Sequence, residues 1–341
     1  MGNTVLRVRD LRVDFGRHAV LRGVNFDLSA GETLGLVGES GSGKSTLARA
    51  MLRLLDSAHG SVEFLGLDLL SCSASALRER RRDLQIVFQD PLASLDPRMT
   101  VTQAIGEPLQ IFESELNGAN RLRVCGAMLE RVGLHEDMAG RYPHELSGGQ
   151  CQRVAIARAM ILNPKALICD EVVSSLDVSV QGQILNLLLD LQRDAGMAVL
   201  FISHNLAVVR HLCHRVLVMY LGKLVEIAPS EALFAAPIHP YTRALLAAVP
   251  QGWSGAAMAE PSASVVPSAA TEAAEPQELA ELAGFQPPAR LMAVGCAFRD
   301  RCPLVVPICE TDDPPLLEVA PGHFAACHRS QETVIPLSLT P

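Results

Sequence analysis

The N-terminal part of the chain alternates between apolar and polar side chains. The alternation runs over residues 5–15, resumes over 23–28, and ends in a continuous apolar run over 33–37. A period of two puts every second side chain on the same face of a sheet. We therefore expect antiparallel strands at the start of the chain, followed by one buried strand.

Further along, short apolar runs alternate with stretches of helical periodicity. Strands are predicted over 60–70, 84–88, 165–170 and 198–203, a hairpin over 215–227 with its turn at Gly222, and helices over 47–52, 151–160 and 180–194. The pattern from about 92 to 162 is helical and is interrupted by prolines. Continuous apolar strands separated by helices are typical of a parallel sheet that is covered on both faces. The predicted fold class is α/β.

The apolar run at 33–37 leads into a glycine-rich stretch, residues 38–46 (GESGSGKST), and then into a predicted helix. A strand, a glycine-rich turn and a helix N-terminus form the context of a phosphate-binding loop. Backbone N–H groups and the helix dipole would favour a bound anion there. Lys44 would reach the β- and γ-phosphates, and the Ser45 hydroxyl would bind Mg²⁺. The alternative is a surface loop that matches the pattern by accident.

An acidic pair ends the predicted strand over 165–170. Asp170 at the carboxyl end of that strand could hold Mg²⁺ through water, and Glu171 could polarise an attacking water as a general base. Asp-Glu pairs after apolar runs are usually no more than a strand meeting solvent. A phosphate-binding loop in the same chain favours the catalytic interpretation.

A second helix end with anion-binding character is predicted at residues 146–150 (LSGGQ). Ser147 is a natural N-cap, and the two glycines after it leave the first backbone N–H groups accessible. This is either an ordinary capped helix or a helix end that serves the γ-phosphate of a nucleotide on another subunit.

Composition narrows the class of protein. The chain has 341 residues, 49% of them hydrophobic, and a net charge of −8, so that no overall basic field would attract nucleic acid. The N-terminus lacks the apolar region of a secretory signal, and there is no uninterrupted apolar run of about 18 residues. We expect a chain outside the bilayer, linked to a membrane only through a partner. Its nine cysteines would be reduced in the cytosol.

The composition changes after Pro250. Residues 251–290 contain eleven Ala, five Pro and five Glu, which indicates a flexible linker. Residues 291–341 are predicted to form a small appendage, and its four cysteines are Cys296, Cys302, Cys309 and Cys327. Four thiolates in a short segment suit zinc or an iron–sulfur cluster, although the spacing matches neither usual pattern. The alternative is four buried or free thiols. A segment this small has almost no core, so a metal would supply its folding energy.

Together the motifs resemble those of the ABC-transporter ATPases. The loop at 38–45, residues 146–150, residues 166–171 (ALICDE), residues 175–177 (SLD) and residues 201–204 (FISH) follow the order and spacing of that family. The resemblance covers roughly residues 4–250. It implies an ABC-type P-loop ATPase core over 1–250, with an antiparallel β subdomain and a helical subdomain at about 92–162.

The resemblance also implies roles for single residues. Phe15 would stack on adenine, Gln89 would sense Mg²⁺, and Asp177 would communicate across a dimer. His204 would contact the γ-phosphate and act with Glu171 and Lys44 in catalysis. The implied nucleotide-binding residues are Phe15, Gly38, Glu39, Ser40, Gly41, Ser42, Gly43, Lys44, Ser45, Thr46, Gln89, Ser147, Gly148, Gly149, Gln150 and Asp177, and the implied Mg²⁺ ligands are Ser45, Gln89 and Asp170.

The chain departs from the family pattern at two places. Val172 and Val173 follow the acidic pair where a proline is usual, which predicts a looser loop leading to Asp177. Cys151 stands where a basic or polar residue is common. Neither change removes a charged or nucleotide-contacting group, so we expect an active site.

Four segments indicate the subfamily. Residues 89–98 (QDPLASLDPR), 176–181 (LDVSVQ) and 238–246 (IHPYTRALL) resemble the ATP-binding subunits of bacterial dipeptide and oligopeptide importers. Nickel, glutathione and opine importers share these segments. The tail resembles the C-terminal region of the peptide-importer ATPases (GC-x-F-x-x-RCP), some of which are thought to hold a [4Fe–4S] cluster, and this favours a cluster over zinc.

The subfamily implies a subunit on the cytoplasmic face of the inner membrane that hydrolyses ATP, with Mg²⁺, to power peptide import. Its implied partners are a paralogous ABC ATPase in a heterodimer, two transmembrane permease subunits, and a periplasmic or extracellular substrate-binding protein. Two other classes stay open, a non-transport ABC ATPase acting in DNA repair or on ribosomes and a catalytically silent regulatory subunit.

Overall fold

The computed structural model describes residues 3–16, 18–248 and 294–330. The predicted linker over 251–290 and both ends of the predicted appendage, 291–293 and 331–341, lie outside the described residues. The described chain divides into two compact units. The first unit contains residues from 1–35, 45–203 and 212–214, and the second contains residues from 36–44, 204–211 and 215–341.

The secondary structure alternates between strands and helices, as the sequence predicts for an α/β protein. The strands are β1 (Thr4–Phe15), β2 (His18–Ser29), β3 (Thr33–Val37), β4 (Ala58–Phe64), β5 (Leu67–Asp68), β6 (Leu84–Val87), β7 (Ala166–Asp170), β8 (Ala198–Ile202), β9 (Arg215–Tyr220), β10 (Lys223–Pro229), β11 (Leu317–Ala320) and β12 (His323–Ala325). The helices are α1 (Lys44–Met51), α2 (Ala74–Arg80), α3 (Pro91–Ser94), α4 (Val101–Phe112), α5 (Gly118–Arg131), α6 (Gly148–Met160), α7 (Val178–Ala195), α8 (Leu206–Leu212), α9 (Ser230–Ala235), α10 (Pro240–Ala247) and α11 (Ile308–Thr311).

The first unit contains a four-stranded antiparallel sheet in the order β2-β1-β4-β5. The alternating side chains Leu6, Val8, Leu11 and Val13 of β1 are all buried. The antiparallel strands predicted from the alternation are therefore confirmed. Val8 and Leu11 are three positions apart, and the register shift between them in the pairing with β2 allows both to be buried.

The same unit contains parallel strands that are buried along their whole length. Strand β7 pairs in parallel with β6 on one side, with Leu84 opposite Ala166, and with β8 on the other, with Ala166 opposite Ala198. Every residue of β7 and β8 is buried. A strand with a neighbour on each side and cover on both faces needs apolar side chains in both directions, which explains the continuous apolar runs.

The second unit is built on the predicted hairpin of β9 and β10. Leu221 and Gly222 form the turn with φ values of 43° and 79°, as in a type I′ turn, which suits glycine better than leucine. Strands β11 and β12 extend this sheet in the order β11-β12-β10-β9. The pairing of β12 with β10 places Glu226 opposite Ala325 and thereby attaches the C-terminal segment to the sheet.

Buried contacts strengthen this attachment. Glu226 is fully buried and accepts hydrogen bonds from the N–H groups of Ile238 and His239, at 2.8 and 2.9 Å. Its Oε1 also lies 2.6 Å from Nε2 of His323 in β12. Strand pairing and this buried cluster stabilise the C-terminal segment, and the expectation that a metal supplies its folding energy stays a prediction.

His239 makes the stability of the second unit dependent on pH. It is 2% exposed, and its Nδ1 accepts the N–H of Tyr241 as the N-cap of α10. Burial lowers its pKa from 6.5 to about 4, although Glu226 opposes that shift. Protons therefore bind the unfolded state more readily, and stability falls as the pH drops from about 6.5 through about 4.

We expect this histidine to account for about 2 kcal/mol of lost unfolding free energy between pH 7 and pH 5. His239→Asn keeps a capping side chain but cannot titrate, so it should flatten the pH dependence by that amount. Urea unfolding of both proteins at the two pH values checks this. Lost packing would shift the variant equally at both pH values, whereas identical pH slopes for the two proteins would contradict the prediction.

Candidate nucleotide site

The first position of the glycine-rich loop, Gly38, has no room for a side chain. A Cβ at Gly38 would lie 2.2 Å from the carbonyl oxygen of Met219 and 2.9 Å from Oγ of Ser42. The Lys44 side chain is 5% exposed, and its Nζ donates to the carbonyl oxygens of Gly38 and Glu39 at 2.8 and 2.9 Å. These two hydrogen bonds hold the ammonium group against the backbone of its own loop, which is where the sequence predicts that the phosphates bind.

Ser42 provides a test of whether this loop fits a phosphate. Its Oγ is buried and has no hydrogen-bond partner among the described residues. A buried hydroxyl without a partner is costly, and a phosphate oxygen would satisfy it. The loop residues thus fit the triphosphate of a nucleotide.

Ser45 and Asp170 form the predicted Mg²⁺ position in the first unit. The Ser45 hydroxyl donates to Oδ1 of Asp170 at 3.0 Å, and Asp170 is 1% exposed at the end of β7. A hydroxyl and a carboxylate are hard oxygen donors of the kind that Mg²⁺ prefers. The two side chains fit the ion, although they lie 125 residues apart in the chain.

Glu171 follows directly in a strained backbone conformation. Its φ is 50°, in the left-handed region that a residue with a side chain rarely adopts. Its N–H donates to the carbonyl oxygen of Ile202 at 3.0 Å. Its own carbonyl oxygen accepts hydrogen bonds from the N–H and the hydroxyl of Ser174, at 3.1 and 2.9 Å. Gln89 Nε2 donates to its carboxylate Oε2 at 3.1 Å. The predicted base and the predicted Mg²⁺-sensing glutamine are therefore in contact.

The two valines that replace the usual proline are buried. Val172 is 1% exposed and Val173 is 3% exposed. Their apolar contacts, with the two Ser174 hydrogen bonds to the Glu171 carbonyl, hold the start of the loop that leads to Asp177. A looser loop at that point stays a prediction.

The second helix end is capped as the sequence predicts. Ser147 Oγ accepts the N–H of Gln150 at 3.3 Å, and the Gln150 side chain accepts the N–H of Ser147 at 2.9 Å. This is a capping box, so Ser147 is confirmed as the N-cap of α6. The structure adds a packing reason for the second glycine, because a Cβ at Gly149 would lie 2.6 Å from Cγ1 of Val180.

Cys151 does not face the exposed side of α6. It is 2% exposed, and its Sγ donates to the carbonyl oxygen of Pro143 at 3.4 Å. Burial raises the pKa of this thiol, so that it packs as a small neutral side chain. The departure from the family pattern at this position therefore leaves the capped helix end unchanged.

Three predicted residues lie at the ends of strands and helices. Phe15 ends β1 with 48% of its surface exposed, as a base-stacking aromatic side chain must be. Asp177 is exposed at the N-cap of α7 and makes no capping hydrogen bond with its side chain. His204 lies two residues after the end of β8 and belongs to the second unit. Their predicted roles stay predictions.

Sequence reasoning missed a tyrosine that contacts the phosphate loop. The Tyr241 hydroxyl accepts the N–H of Glu39 at 2.9 Å, and the ring is 1% exposed. Burial raises the pKa of this hydroxyl, which therefore stays protonated. Tyr241 lies in the segment 238–246, whose sequence indicated only the subfamily. The signal that could have identified it was an aromatic residue, without an assigned role, inside a distinctive motif.

The C-terminal cysteines are neighbours in the structure. The N–H of Cys296 donates to the carbonyl of Cys309 at 2.8 Å, and all nine cysteines of the chain are free. Burial raises the pKa values of Cys296, Cys302 and Cys327, and the neighbouring cysteines also raise them. Within residues 3–16, 18–248 and 294–330, no group of three or more His, Cys, Asp or Glu side chains could hold a metal ion. The structure thus gives no support to the iron–sulfur or zinc prediction.

In the part of the chain that the structure describes, no helix combines the length and the apolar character that a membrane span needs.

Comparison with protein families gives two matches along the chain. Residues 21–174 match the ABC transporter family. Residues 225–271 and 263–309 match the C-terminal region of oligopeptide/dipeptide transporters. The first match contains the phosphate loop, LSGGQ and the acidic pair, and the second contains Tyr241 and the first cysteines of the tail.

The names of individual proteins that are similar to this chain agree with these family matches. The chain is 49% identical to the probable peptide ABC transporter ATP-binding protein y4tS of Sinorhizobium fredii, over 89% of this chain and 81% of that protein. It is 47% identical to the oligopeptide transport ATP-binding protein OppF of Salmonella typhimurium, over 89% of this chain and 86% of that protein. The dimeric ATP-binding cassette MJ0796, solved with ADP and Pi in a post-hydrolysis state, matches with a TM-score of 0.61 and 28% identity, over 66% of this chain and 98% of that one.

Identity of this degree over most of the chain, together with the paired oxygen ligands and the capped LSGGQ helix, assigns the family. The chain belongs to the ATP-binding proteins of peptide ABC transporters, and it is an ATPase.

Proposed function

We propose that this chain is the ATP-hydrolysing subunit that powers import of dipeptides and oligopeptides through an ABC transporter in the inner membrane. One observation carries the proposal: two pairs of side chains suited to hydrolysis and the C-terminal region of oligopeptide transporters occur in the same chain. The pairs are Ser45–Asp170 and Glu171–Gln89. A silent regulatory subunit would not need an acid held in a strained backbone conformation.

Hydrolysis would divide between residues that bind phosphate and residues that activate water. Lys44, oriented by its carbonyl partners, would bind the β- and γ-phosphate oxygens, and Ser42 would gain its missing partner. Ser45 and Asp170 would hold Mg²⁺, which neutralises charge on the phosphates when it is bound. Glu171 would accept a proton from the attacking water, while Gln89 keeps the carboxylate oriented.

The site would be completed by a second ATPase subunit. The capped N-terminus of α6, with Ser147 and the two glycines, offers backbone N–H groups to an anion. Since the chain already has a phosphate loop, this helix end is a second anion-binding element that a nucleotide on another subunit could use. The cassette MJ0796, which this chain resembles, is dimeric. We therefore infer that ATP lies between Lys44 of one subunit and Ser147 of its partner, a paralogous ATPase. Because ATP would contact both subunits, its hydrolysis would release them.

A cleft in the first unit is suited to a membrane partner. It has a volume of about 220 Å³ and lies among β6, α4 and α6, lined by Val87, Phe88, Pro108, Ile111 and Ala159. Ile111 at its edge is 48% exposed. Strand β6 leads directly to Gln89, so a segment of a permease subunit in this cleft would sense the state of Glu171. Two permease subunits and a periplasmic or extracellular binding protein would complete the transporter.

Uptake by a strain that lacks this chain tests the proposal. Uptake of labelled peptides should fall to background, and the wild-type chain should restore it whereas Glu171→Gln should not. Lost nickel, glutathione or opine uptake with normal peptide uptake would move the substrate to that class. Unchanged uptake of all four substrates would favour a non-transport ATPase, and restoration by Glu171→Gln would favour a silent subunit.

A further inference from the structure

One motif of the C-terminal segment has no role in strand pairing or hydrolysis as described so far. Residues 295–303 (GCAFRDRCP) include a single 3-10 turn over Arg299–Arg301. Two side chains of this motif contact other parts of the second unit: Phe298 packs against Tyr220 and Tyr241, and Arg301 binds Glu39 of the phosphate loop.

Arg301 forms a two-pronged ion pair with the phosphate loop. Its two terminal nitrogens donate to the two carboxylate oxygens of Glu39, each at 3.0 Å. The side chains are 13% and 26% exposed, so the pair is shielded from solvent on most sides. A planar guanidinium that bonds both oxygens of a carboxylate fixes its orientation as well as its position.

Glu39 in turn organises the rest of the loop through its backbone. Its carbonyl accepts the Lys44 ammonium at 2.9 Å and the N–H of Ser42 at 3.1 Å. Its own N–H donates to the Tyr241 hydroxyl at 2.9 Å. The position of Glu39 therefore sets where the phosphate-binding lysine lies and how the loop closes.

Arg301 stands on a rigid aromatic base. The Phe298 ring is 2% exposed and lies 5.4 Å from the Tyr220 ring and 5.6 Å from the Tyr241 ring. The guanidinium of Arg301 lies 5.8 Å from the Tyr220 ring and 5.6 Å from the Phe298 ring. A group held by packed rings loses little freedom when it binds, which is what a positioning group requires.

We propose that Arg301 is a positioning residue for ATP, through which the docked C-terminal segment holds the phosphate loop in its binding conformation. This rests on the proposed function in so far as ATP binds at that loop. Without Arg301, Glu39 would be an unpaired carboxylate beside the phosphates, and the carbonyl that orients Lys44 would move with it. ATP binding should therefore suffer, while the water-activating pair in the first unit is untouched.

The test uses the full chain and its transporter. Arg301→Ala should raise the dissociation constant for ATP about tenfold, the equivalent of one lost charge-assisted hydrogen bond, and should change kcat at saturating ATP less than about threefold. Arg301→Lys keeps the charge and the stem but not the fork, so it should fold normally and raise the constant by about threefold. In a Glu39→Ala background, Arg301→Ala should add less than about twofold, because the two residues act through each other.

Asp313→Ala is the matched control. Asp313 pairs with Lys223 of the hairpin and so also ties the C-terminal segment to β10, but it is not part of the Arg301–Glu39 pair. Its dissociation constant for ATP should stay within about twofold of wild type. Equal losses in Asp313→Ala and Arg301→Ala would reduce Arg301 to a structural contact, and wild-type affinity in Arg301→Lys and Arg301→Ala would overturn the proposal.

A measurement without nucleotide separates this proposal from the proposed function. Hydrogen exchange of the backbone over residues 36–44 should become faster in Arg301→Ala and Arg301→Lys and stay unchanged in Asp313→Ala. Faster exchange in a chain that binds no ATP would preserve the positioning of the loop and defeat the proposed function. Unchanged exchange in a chain that hydrolyses ATP would defeat the positioning alone.

Discussion

Glu171→Gln should lower ATP hydrolysis by about 100- to 10,000-fold, the range expected when a general base is removed, and should leave ATP binding near wild type. The amide has the size of the carboxylate, and its oxygen can still accept the hydrogen bond from Gln89. The left-handed backbone with its hydrogen bonds to Ile202 and Ser174 needs no change. Only the ability to take a proton from water is lost.

Phosphate release and ATP affinity, measured on the reconstituted transporter, check this expectation. Since hydrolysis would be blocked with ATP still bound, the closed dimer should accumulate. Asp190→Asn is a suitable control, because it removes a carboxylate of an exposed pair on α7 and should leave the hydrolysis rate unchanged. Unchanged hydrolysis in Glu171→Gln would show that this acid is not the base.

Lys44→Ala should weaken ATP binding by about 10- to 100-fold, which corresponds to the loss of a charged hydrogen bond to phosphate. The ammonium is 5% exposed and already has carbonyl partners on Gly38 and Glu39, so it is positioned before the nucleotide arrives. Alanine removes both the charge and the contact that draws these two carbonyls together.

The affinity of the full chain for ATP at constant Mg²⁺ tests this second expectation. Lys165→Ala is matched in charge and size, and Lys165 is exposed before β7, far along the chain from the loop. It should bind ATP as the wild type does. Equal affinity of Lys44→Ala and Lys165→Ala would contradict the role of Lys44.

Structural features that depend on residues close together in the chain were predictable from the sequence. The phosphate loop needs a strand, glycines and a helix start within a few positions, and the Ser147 cap needs Gln150 three residues later. The alternation in β1 and the apolar run of β7 follow from which faces of each strand are covered. In each case the physical requirement acts over one turn or one strand, so it leaves a period or a spacing that can be recognised.

The C-terminal segment shows where such reasoning fails. Its four cysteines and small size suggested a metal as the source of folding energy, but they did not predict its attachment by β12 on the edge of β10 and by the Glu226–His323 contact. An open strand edge can accept any segment with the right backbone, and nothing in the sequence of β10 states which segment that is. Sequence shows the segment but not its attachment.

The amino-acid sequence alone therefore specifies the family, the phosphate loop and the chemistry of each side chain, since these depend on residue type and short spacing. Tertiary structure alone decides which distant residues meet: Ser45 with Asp170, and Glu39 with Arg301, 262 residues apart. The reason is that a hydrogen bond between side chains depends on distance in space, and the chain between them can have any length or composition.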